Sequence, residues 1–426
     1  MPSDELYAIS GCRICGSIKL VPILSLGELY VSDFLSREQT EDQKTKAPLE
    51  LVLCGADDGG CGLLQLKHTY PHELMYRNYW YLSGINQTMR DELRNIVENA
   101  ESLVSLGAGD LVIDIGSNDG TLLRNYKADG LYTIGFEPAR NIAEKYGMAG
   151  VTKVFTDFFD AKLWAGAFGN AKAKVITAIA MFYDLNDPNR FTADVRRILD
   201  DEGVFVIQMT YLPSKLKRNA FDGIVHEHLE YYALGSLENL LGRHNLEVFD
   251  LELRDINEGS FRVYIRHKGK GKTIRAWTGA DSRVRAAREA ERKLGLGRRE
   301  VYDEFARRVE SIKSRLCGFI DRELKKGKKI YVYGASTKGN TLLQYFNLDH
   351  TKITAAAERN PDKWGKKTIA TRIPIISEEQ ARIDHPDYFL ILPWHFLKEF
   401  REREGDYFMK GGKFIVPLPE FRIIDN

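Results

Sequence analysis

One short stretch constrains the fold most: Leu111-Val-Ile-Asp-Ile-Gly116-Ser-Asn-Asp-Gly120. Five strand-forming residues run into a loop bounded by two glycines, which let the backbone turn sharply and approach a ligand closely. A helical pattern follows from about Thr121, and a second strand, Tyr132-Thr-Ile-Gly-Phe136, leads to the acid Glu137. This order of strand, loop, helix, strand and acid predicts a nucleotide-binding α/β fold, in which the acid binds ribose hydroxyls.

The loop also indicates which nucleotide would bind. It lacks the G-x-G-x-x-G pattern, and its acids disfavour a pyrophosphate but suit a cationic nucleotide without phosphates, such as S-adenosylmethionine. An ordinary strand-to-helix turn with an incidental glutamate is the alternative, and the ordered succession of elements favours the cofactor site. The predicted cofactor contacts are Asp114, Gly116, Ser117, Asn118, Asp119, Gly120, Glu137, Pro138, Asp157 and Met181.

Strands and helices continue to alternate beyond Glu137. Strands are expected near residues 153–156, 175–180 and 204–209, and a helix is expected near 189–199. Such alternation predicts a largely parallel sheet, and ligands of parallel sheets bind at the carboxyl ends of the strands. The glycine loop, Glu137, Asp157 and residues 181–184 should therefore surround one crevice.

Four of the cysteines cluster near the start of the chain. Cys12 and Cys15 form a C-x-x-C motif, and Cys54 and Cys61 follow, so four thiolates can bind one tetrahedral zinc as a closed structural site. Disulfides or four unrelated buried thiols are the alternatives; a reducing compartment disfavours the first and the clustering disfavours the second. Residues 1–70 are predicted to be this zinc-binding module, with strands near 49–53 and 63–66, whereas Cys317 stands apart as a structural thiol.

Composition limits the classes of function. A chain of 426 residues with 43% hydrophobic content should form two or three domains. Because 61 Lys and Arg balance 60 Asp and Glu, no overall field attracts nucleic acid or an anionic membrane. We find neither a run of about eighteen apolar residues nor a charged-then-apolar leader, so we expect a cytoplasmic protein outside the membrane. The sequence leaves monomer and homo-oligomer open.

Aromatic and polar residues crowd the segment 70–86, which precedes a helix expected near 90–106. The segment has no clean strand or helix period, so it either lines a pocket or packs as a linker between the zinc module and the main domain. Both interpretations stay open. If the segment lines a pocket, its candidate contacts are Tyr79, Tyr81, Ser83 and Asn86.

The richest cluster of titratable groups is Asp222-Gly-Ile-Val-His226-Glu227-His228-Leu-Glu230-Tyr-Tyr232. His226, His228 and Glu230 alternate as on one face of a strand, but H-E-H is not a standard metal motif and no further ligand is indicated. Packing of the histidines inside a core is a second interpretation. We favour a third, in which a histidine beside a carboxylate acts as a general base near the methyl donor.

The last third of the chain contains a second glycine-bounded loop. Residues 275–326 alternate Arg, Glu and Ala at helical spacing, which predicts a solvated helix or hairpin. A strand near 329–333 then leads into Gly334-Ala-Ser-Thr-Lys-Gly339, and the strand 353–357 ends at the acid Glu358. Ser336, Thr337 and Lys338 suit phosphate, so the loop either binds a diphosphate or belongs to a degenerate structural Rossmann domain.

Together these motifs resemble the S-adenosylmethionine-dependent nucleotide-sugar C-methyltransferases of deoxysugar and O-antigen pathways. The resemblance spans essentially the whole chain and rests on the four cysteines, Asp114–Gly120, His226–Tyr232, Asn257-Glu-Gly-Ser-Phe-Arg262 and Tyr333-Gly-Ala-Ser-Thr-Lys-Gly339. It implies an α/β protein with a zinc-binding module (1–70), a Rossmann-like methyltransferase domain (71–270) and a helical connector followed by a C-terminal Rossmann-like domain (271–426).

The resemblance also implies a reaction, methylation of a 4-keto-6-deoxyhexose carried on a nucleoside diphosphate. His228 would be the base that removes the C3 proton, Glu227 would orient it, and Tyr79 or Tyr81 would donate to the enolate oxygen, with His226 as the second candidate base. The predicted substrate contacts are Ser83, Asn86, Asp184, Tyr211, Arg262, Ser336, Thr337 and Lys338.

Some features depart from the family pattern or suggest other functions. Val225, Ala180 and Asp184 stand where members of the family carry Tyr, Asn and His, so the sugar is expected to differ and methylation of oxygen stays open. An NAD(P)-dependent oxidoreductase would explain two Rossmann-like units, but both loops lack the glycine fingerprint. A zinc-containing nucleic-acid-binding protein conflicts with the balanced charge.

Overall fold

The N-terminal module is a small antiparallel sheet beside the four cysteines. This computed structural model describes residues 5–36, 38–39, 44–79, 81–147 and 149–425. Strands β2, β4 and β5 pair in that order, and β1 pairs with β6. The predicted strands are confirmed, and the first begins earlier than expected. The six strands are β1 (Tyr7–Ala8), β2 (Val21–Tyr30), β3 (Phe34–Leu35), β4 (Lys46–Leu53), β5 (Leu64–Leu66) and β6 (His68–Thr69).

The aromatic segment joins this module to the main domain. It contains the short helix α1 (His72–Tyr76), a single 3-10 turn at Ser83–Ile85 and the long helix α2 (Gln87–Leu103). Helix α2 begins three residues before the predicted Arg90, because the Asn86 side chain accepts a hydrogen bond from the Thr88 N–H at 2.9 Å and caps the helix there. Its apolar face is buried against the central sheet.

The central domain is a seven-stranded sheet with helices on its faces. Its strand order is β13-β14-β11-β10-β7-β8-β9; strands β11, β10, β7, β8 and β9 are parallel, and β14 and β13 extend the β11 edge antiparallel. The predicted parallel sheet is confirmed. The elements are β7 (Leu111–Ile115), β8 (Tyr132–Phe136), α3 (Arg140–Ile142), β9 (Lys153–Phe155), α4 (Ala161–Phe168), β10 (Ala173–Ile179), α5 (Pro188–Ile198), β11 (Leu199–Thr210), α6 (Leu212–Lys217), β12 (Glu230–Tyr231), α7 (Leu234–Arg243), β13 (Leu246–Arg254) and β14 (Ser260–His267).

One element was predicted wrongly. The helix expected from Thr121 is only a single 3-10 turn, Leu123–Asn125. Leu123 of this turn and the preceding Leu122 are buried in the same cluster as the inner face of α2. Helix α2 therefore already covers this face of the sheet, and a short connection suffices between β7 and β8.

Two helices precede a second Rossmann-like sheet in the C-terminal part. The sequence predicts a solvated helix or hairpin here, whereas α8 (Ala280–Leu294) and α9 (Glu300–Lys325) each bury one face, in two different core clusters. The sheet order is β18-β16-β15-β19-β20-β21, parallel except for β21. The elements are α8 (Ala280–Leu294), α9 (Glu300–Lys325), β15 (Ile330–Tyr333), α10 (Thr337–Phe346), β16 (Ala356–Glu358), β17 (Lys367–Thr368), β18 (Ile375–Ser377), α11 (Glu378–Asp384), β19 (Tyr388–Ile391), α12 (Leu397–Arg403), α13 (Gly405–Met409), β20 (Lys413–Val416) and β21 (Arg422–Ile424).

Both later domains add a strand to the N-terminal module. Strand β12 pairs with β5, and β17 pairs with β3. Helix α8, which the predicted domain limits assign to the C-terminal part, is bonded to the central domain instead: Glu291 accepts hydrogen bonds from the Tyr211 hydroxyl and the Leu234 N–H. Each part therefore contributes secondary structure to a neighbouring part. The predicted α/β class is confirmed. Among the described residues, no helix combines the length and apolar character needed to cross a membrane.

Candidate active site

A cavity of about 1830 Å³ lies where the central sheet, the aromatic segment and the C-terminal domain meet. It borders the carboxyl ends of β7, β8 and β10, where ligands of such sheets bind. Small-molecule sites usually measure about 300–1,000 Å³, so this cavity has room for two ligands. The predicted site residues that line it are Asp114, Gly116, Ser117, Asn118, Glu137, Pro138, Asp157, Met181, Tyr79, Tyr81, Ser83, Asn86, Asp184, Glu227, His228, Ser336, Thr337 and Lys338.

The first glycine loop and its acid form one hydrogen-bonded unit. The Glu137 carboxylate accepts from the Asn118 N–H and from the Ala139 N–H, both at 2.7 Å. Gly116 has a φ of +73°, and a Cβ there would lie 3.1 Å from the Cγ of Met181. Only glycine therefore gives both the left-handed turn and the close approach of the Met181 side chain to the loop.

The same loop holds the aromatic segment in place. The Asn118 side chain accepts from the Ser83 N–H at 2.9 Å and donates to the Tyr81 carbonyl at 3.0 Å. Asp119 accepts from the Gly84 N–H at 2.8 Å. The segment is thus both a wall of the cavity and a packed connection, so the two interpretations of the sequence hold together. Within the wall, Tyr81 is 47% exposed, whereas Tyr79 is half-buried.

His228 presents an unprotonated nitrogen in this cavity. Its Nδ1 atom lies 2.9 Å from the Gly223 carbonyl oxygen, and because a carbonyl only accepts, Nδ1 carries the proton and Nε2 has the free electron pair. Desolvation, followed by the positive charges of Lys338 and Lys215, lowers the pKa of His228 to about 3. The ring of Tyr183 packs edge-on against the imidazole, with centroids 4.5 Å apart.

Glu227 borders the cavity beside this histidine. The Gly223 carbonyl, rather than the Glu227 carboxylate, fixes the tautomer of His228, which corrects the predicted role of Glu227. Burial raises the pKa of Glu227 to about 7, so its carboxyl changes charge near neutral pH. The Tyr76 hydroxyl donates to the Glu227 backbone carbonyl at 3.1 Å and ties this turn to the aromatic segment.

A buried charge cluster connects this turn to the C-terminal domain. The Lys338 ammonium forms an ion pair with Glu258, whose carboxylate also lies 3.7 Å from the Lys215 ammonium. The Trp394 indole N–H donates to Asp222 at 3.1 Å. Lys338 therefore brings a positive charge from the second domain to the edge of the site.

The four N-terminal cysteines converge as predicted. Their sulfur atoms lie within 4.8 Å of one another. The Sγ atoms of Cys12 and Cys61 are 3.5 Å apart, as are those of Cys15 and Cys54. Four sulfurs at these separations match the donor set of a closed tetrahedral zinc site. Among the described His, Cys, Asp and Glu side chains, the cluster that could hold a metal consists of these four cysteines. The H-E-H motif does not belong to such a cluster.

Comparison with known proteins agrees with this geometry. C-methyltransferase NovU of Streptomyces niveus is 31% identical over 426 residues, which is 99% of this chain and 98% of NovU. This chain belongs to the C-methyltransferase family. Family models match three consecutive parts of it: a zinc binding domain (residues 12–76), a methyltransferase domain (83–251) and the C-methyltransferase C-terminal domain (255–419).

Similarity to solved structures is partial. An S-adenosylmethionine-dependent methyltransferase from Clostridium acetobutylicum ATCC 824 is 14% identical, with a TM-score of 0.32, and the match covers 44% of this chain and 94% of that one. Magnesium protoporphyrin IX methyltransferase from Synechocystis PCC 6803 is 12% identical, with a TM-score of 0.31, over 42% of this chain and 82% of that one.

This C-methyltransferase uses S-adenosylmethionine and carries zinc, and its residues fit both groups. Near the cofactor loop, the Ser117 hydroxyl is buried without a hydrogen-bond partner among the described residues, as expected of a group that contacts a ligand. Asp114 accepts from the Thr177 hydroxyl at 2.6 Å, and burial raises its pKa to about 7. Carboxyl groups line this end of the cavity, which suits a cationic nucleotide.

Five predicted site residues lie outside the cavity lining, and each is corrected here. Asp119 bonds the aromatic segment, Gly120 completes the loop turn, and His226 lies 2.9 Å from the Ala47 carbonyl oxygen. The Tyr211 hydroxyl donates to Glu291. The guanidinium of Arg262 is fully buried and bonds Gln208, Asn95 and Glu92. Buried polar groups require such partners, so the four side chains and the Gly120 backbone are used within the fold.

The second glycine loop is bonded within the protein. Ser336 caps α10 by accepting from the Gly339 N–H at 3.0 Å, and Glu358 accepts from the Ala335 N–H at 2.9 Å. The Lys363 ammonium donates to the Ala335 carbonyl at 2.8 Å. A Cβ on Gly334 would lie 2.7 Å from the Pro393 Cγ, so this glycine serves internal packing. These contacts favour the structural interpretation of the second Rossmann domain, although Ser336, Thr337 and Lys338 still reach the cavity.

Sequence reasoning missed three cavity-lining groups, Tyr76, Tyr183 and Glu258, and the nearby Lys215. Tyr76 and Tyr183 were part of motifs that were recognised, but only the fold shows that they contact the 227–228 turn. Lys215 and Glu258 bear on the histidine through the charge cluster. The signal for Glu258 was present in the motif that begins at Asn257, whereas nothing local distinguishes Lys215 from the neighbouring basic residues.

Proposed function

We propose that this protein methylates C3 of a nucleotide-linked 4-keto-6-deoxysugar, through an enolate formed by His228, in deoxysugar or O-antigen biosynthesis. The observation that carries the proposal is the free Nε2 of a neutral His228 in the cavity that also contains the cofactor loop. Methylation of carbon needs a carbon nucleophile. A ketone provides one when a base removes the proton next to the carbonyl.

The residues of the turn can carry out this proton transfer. His228 Nε2 takes the C3 proton while the C–H electron pair forms the enolate. Because Nδ1 is held by the Gly223 carbonyl, the imidazole needs no change of tautomer or orientation as the proton moves. The Glu258 carboxylate favours the positive charge that develops on the ring, whereas the charges of Lys338 and Lys215 oppose it. S-adenosylmethionine, when bound, supplies the methyl group.

The size of the cavity supports a large second substrate. With the methyl donor at the end formed by Gly116 and Glu137, the remaining volume would extend to Ser336 and Thr337 of the C-terminal domain, which also line the cavity. A nucleotide-linked sugar is large enough to fill much of this remaining volume, whereas a free sugar leaves most of it unfilled. Because Glu258 pairs with Lys338, that lysine contributes charge near the base rather than a free phosphate ligand.

The first measurement follows the exchange of solvent deuterium into C3 of nucleotide 4-ketosugars in the absence of S-adenosylmethionine. The second adds S-adenosylmethionine, follows methyl transfer and locates the methyl group in the product by NMR. His228→Ala should lose exchange and methylation by about 10²–10⁴-fold while binding both substrates. His226→Gln is the matched control, because that ring contacts Ala47 outside the cavity. A folded His228→Ala protein that retains both activities within about tenfold of wild type contradicts the assignment, and a methylated oxygen in the product contradicts the reaction.

A further inference from the structure

The side chain of Asp184 is an unused acid in the wall of the cavity. Asp184 ends the 3-10 turn Phe182–Asp184, which follows β10 at the carboxyl edge of the sheet. The turn is anchored by the hydrogen bond from the Asp184 N–H to the Met181 carbonyl at 3.0 Å. The Oδ1 atom of Asp184 is buried and has no hydrogen-bond partner among the described residues. A buried polar atom without a partner costs stability, which suggests that a ligand completes its hydrogen bonding.

This acid is tied to the segment that carries the base. The Leu229 N–H donates to the Tyr183 carbonyl at 2.9 Å, and the Tyr183 ring packs against the His228 imidazole. One backbone bond and one ring contact therefore join the turn of Asp184 to the turn of His228. Both side chains line the same cavity.

The surroundings of Asp184 favour its protonated form. Burial raises its pKa well above the usual value, and the nearby carboxyls of Glu227 and Glu230 raise it further, whereas the neighbouring Tyr76 hydroxyl acts in the opposite direction. The tyrosines around it, Tyr79 and Tyr183, also have raised pKa values. These surroundings favour the carboxylic acid form, which can donate a hydrogen bond, as buried carboxyls do in other enolising enzymes.

We propose that Asp184 is the general acid of the enolisation, whose carboxyl donates its proton to the carbonyl oxygen of the bound ketosugar as His228 removes the neighbouring carbon-bound proton. The inference rests on the proposed function. The C–H electron pair forms the carbon–carbon double bond, the carbonyl π pair moves to oxygen, and that oxygen takes the proton of Asp184. With S-adenosylmethionine bound, the carbon would take its methyl group while the carbon–sulfur electron pair stays on the sulfur. The carbonyl then re-forms, its proton returns to Asp184, and the proton held by His228 is released to solvent. No oxidant or further reactant is needed.

The test compares two variants with a matched control. Asp184→Ala removes the acid, Asp184→Asn keeps the size and a donor but cannot give up a proton, and Asp194→Asn changes another cavity-lining carboxyl that accepts from the Ala161 N–H. Each protein is checked by melting temperature and by substrate affinity. Deuterium exchange next to the carbonyl is then measured without S-adenosylmethionine, together with the infrared stretch of the ¹³C-labelled carbonyl in the bound sugar.

We expect exchange to fall by about 10²-fold or more in Asp184→Ala and by about tenfold in Asp184→Asn, with substrate affinity within about threefold of wild type. Asp194→Asn should behave as wild type. The carbonyl stretch should move to higher frequency in Asp184→Ala, because the hydrogen bond is lost. Exchange in the folded Asp184 variants within about threefold of wild type overturns this role while leaving the proposed function intact. Absence of exchange in the wild-type protein overturns both.

Discussion

The Nδ1 atom of His228 lies 2.9 Å from the carbonyl oxygen of Gly223, and this contact determines which nitrogen of the imidazole is free. Gly223 itself has little freedom. A Cβ on this residue would overlap the Lys215 ammonium and lie 3.3 Å from a carboxylate oxygen of Glu258. The orientation of the candidate base therefore depends on a glycine that is enclosed by the buried charge cluster.

The first prediction concerns this glycine. Gly223→Ala should displace Lys215 and shift the carbonyl that holds His228, so deuterium exchange into the substrate should fall by about tenfold or more, since small misplacements of a catalytic group are costly. Affinity for S-adenosylmethionine, measured by calorimetry, should be unchanged because the cofactor loop is a separate segment.

Gly166→Ala is the matched control for that variant. Gly166 lies inside α4, and a Cβ there meets no heavy atom within 4 Å. The Gly166→Ala variant should keep full deuterium exchange into the substrate. Its free energy of unfolding should rise by about 0.4–1 kcal/mol, because alanine restricts the unfolded chain more than glycine. A Gly223→Ala protein that exchanges as fast as this control would show that the carbonyl contact does not position the base.

The second prediction is the titration of His228. Its pKa of about 3 means that the ring stays neutral as the pH falls from about 7.5 to about 5, whereas an ordinary histidine with pKa near 6.5 becomes charged. The imidazole nitrogens in ¹⁵N NMR spectra should show the Nδ1–H tautomer throughout this range.

Lys338→Met should move this titration upward. The Lys338 charge disfavours the imidazolium, and removing it also leaves the opposite charge of Glu258 less compensated, so both effects raise the pKa of His228. Lys338→Arg keeps the charge and should leave the titration close to that of wild type. A wild-type His228 signal that titrates near 6.5 is the contrary result.

The features that were predictable from sequence are those in which the chemistry is local. The loop from Gly116 to Gly120, the acid Glu137 and the four cysteines each combine a residue type with a spacing, and the fold only had to bring neighbouring segments together. The acid was recognisable because it ends the strand beside the loop, in the position that parallel sheets place next to it.

The features that were not predictable depend on contacts between distant segments. By residue type and spacing alone, His226 and His228 are hard to tell apart, and the fold directs one towards Ala47 and the other into the cavity. Arg262 and Tyr211 have the chemistry of substrate ligands, but buried acids use them within the fold. Tertiary packing determines such partners, and a short sequence motif contains no information about them.

The third prediction tests the cofactor acid. Glu137→Gln should weaken binding of S-adenosylmethionine by an order of magnitude or more, because charge-assisted hydrogen bonds contribute about 1.5–3 kcal/mol each. Its carboxylate also holds the N–H groups of Asn118 and Ala139, so the variant loosens the loop as well as the ribose contact. Glu358→Gln changes the corresponding acid of the second Rossmann domain, where the carboxylate bonds Ala335. Calorimetry should show normal affinity for that control, and equal effects of the two variants would exclude Glu137 from the site.

The fourth prediction concerns the metal. Removal of zinc by a chelator should unfold the N-terminal module, because a segment this small depends on its metal for folding. Unfolding of the module should also disturb the active site. Strand β5 of the module pairs with β12, where Glu230 follows His228 by two positions, so exchange activity should fall together with the metal content although zinc takes no part in the chemistry.

Two cysteine variants separate this structural role from a general thiol effect. Cys15→Ser removes one of the four clustered sulfurs and should reduce bound zinc, melting temperature and exchange together. Cys317 contacts the Phe346 carbonyl far from the cluster, so Cys317→Ser should retain one zinc per chain and full exchange. Metal analysis, thermal melting and deuterium exchange on the same preparations give the comparison. If the chelated protein melts as the zinc-bound protein does, the module folds without its metal and the coupling through β5 and β12 is refuted.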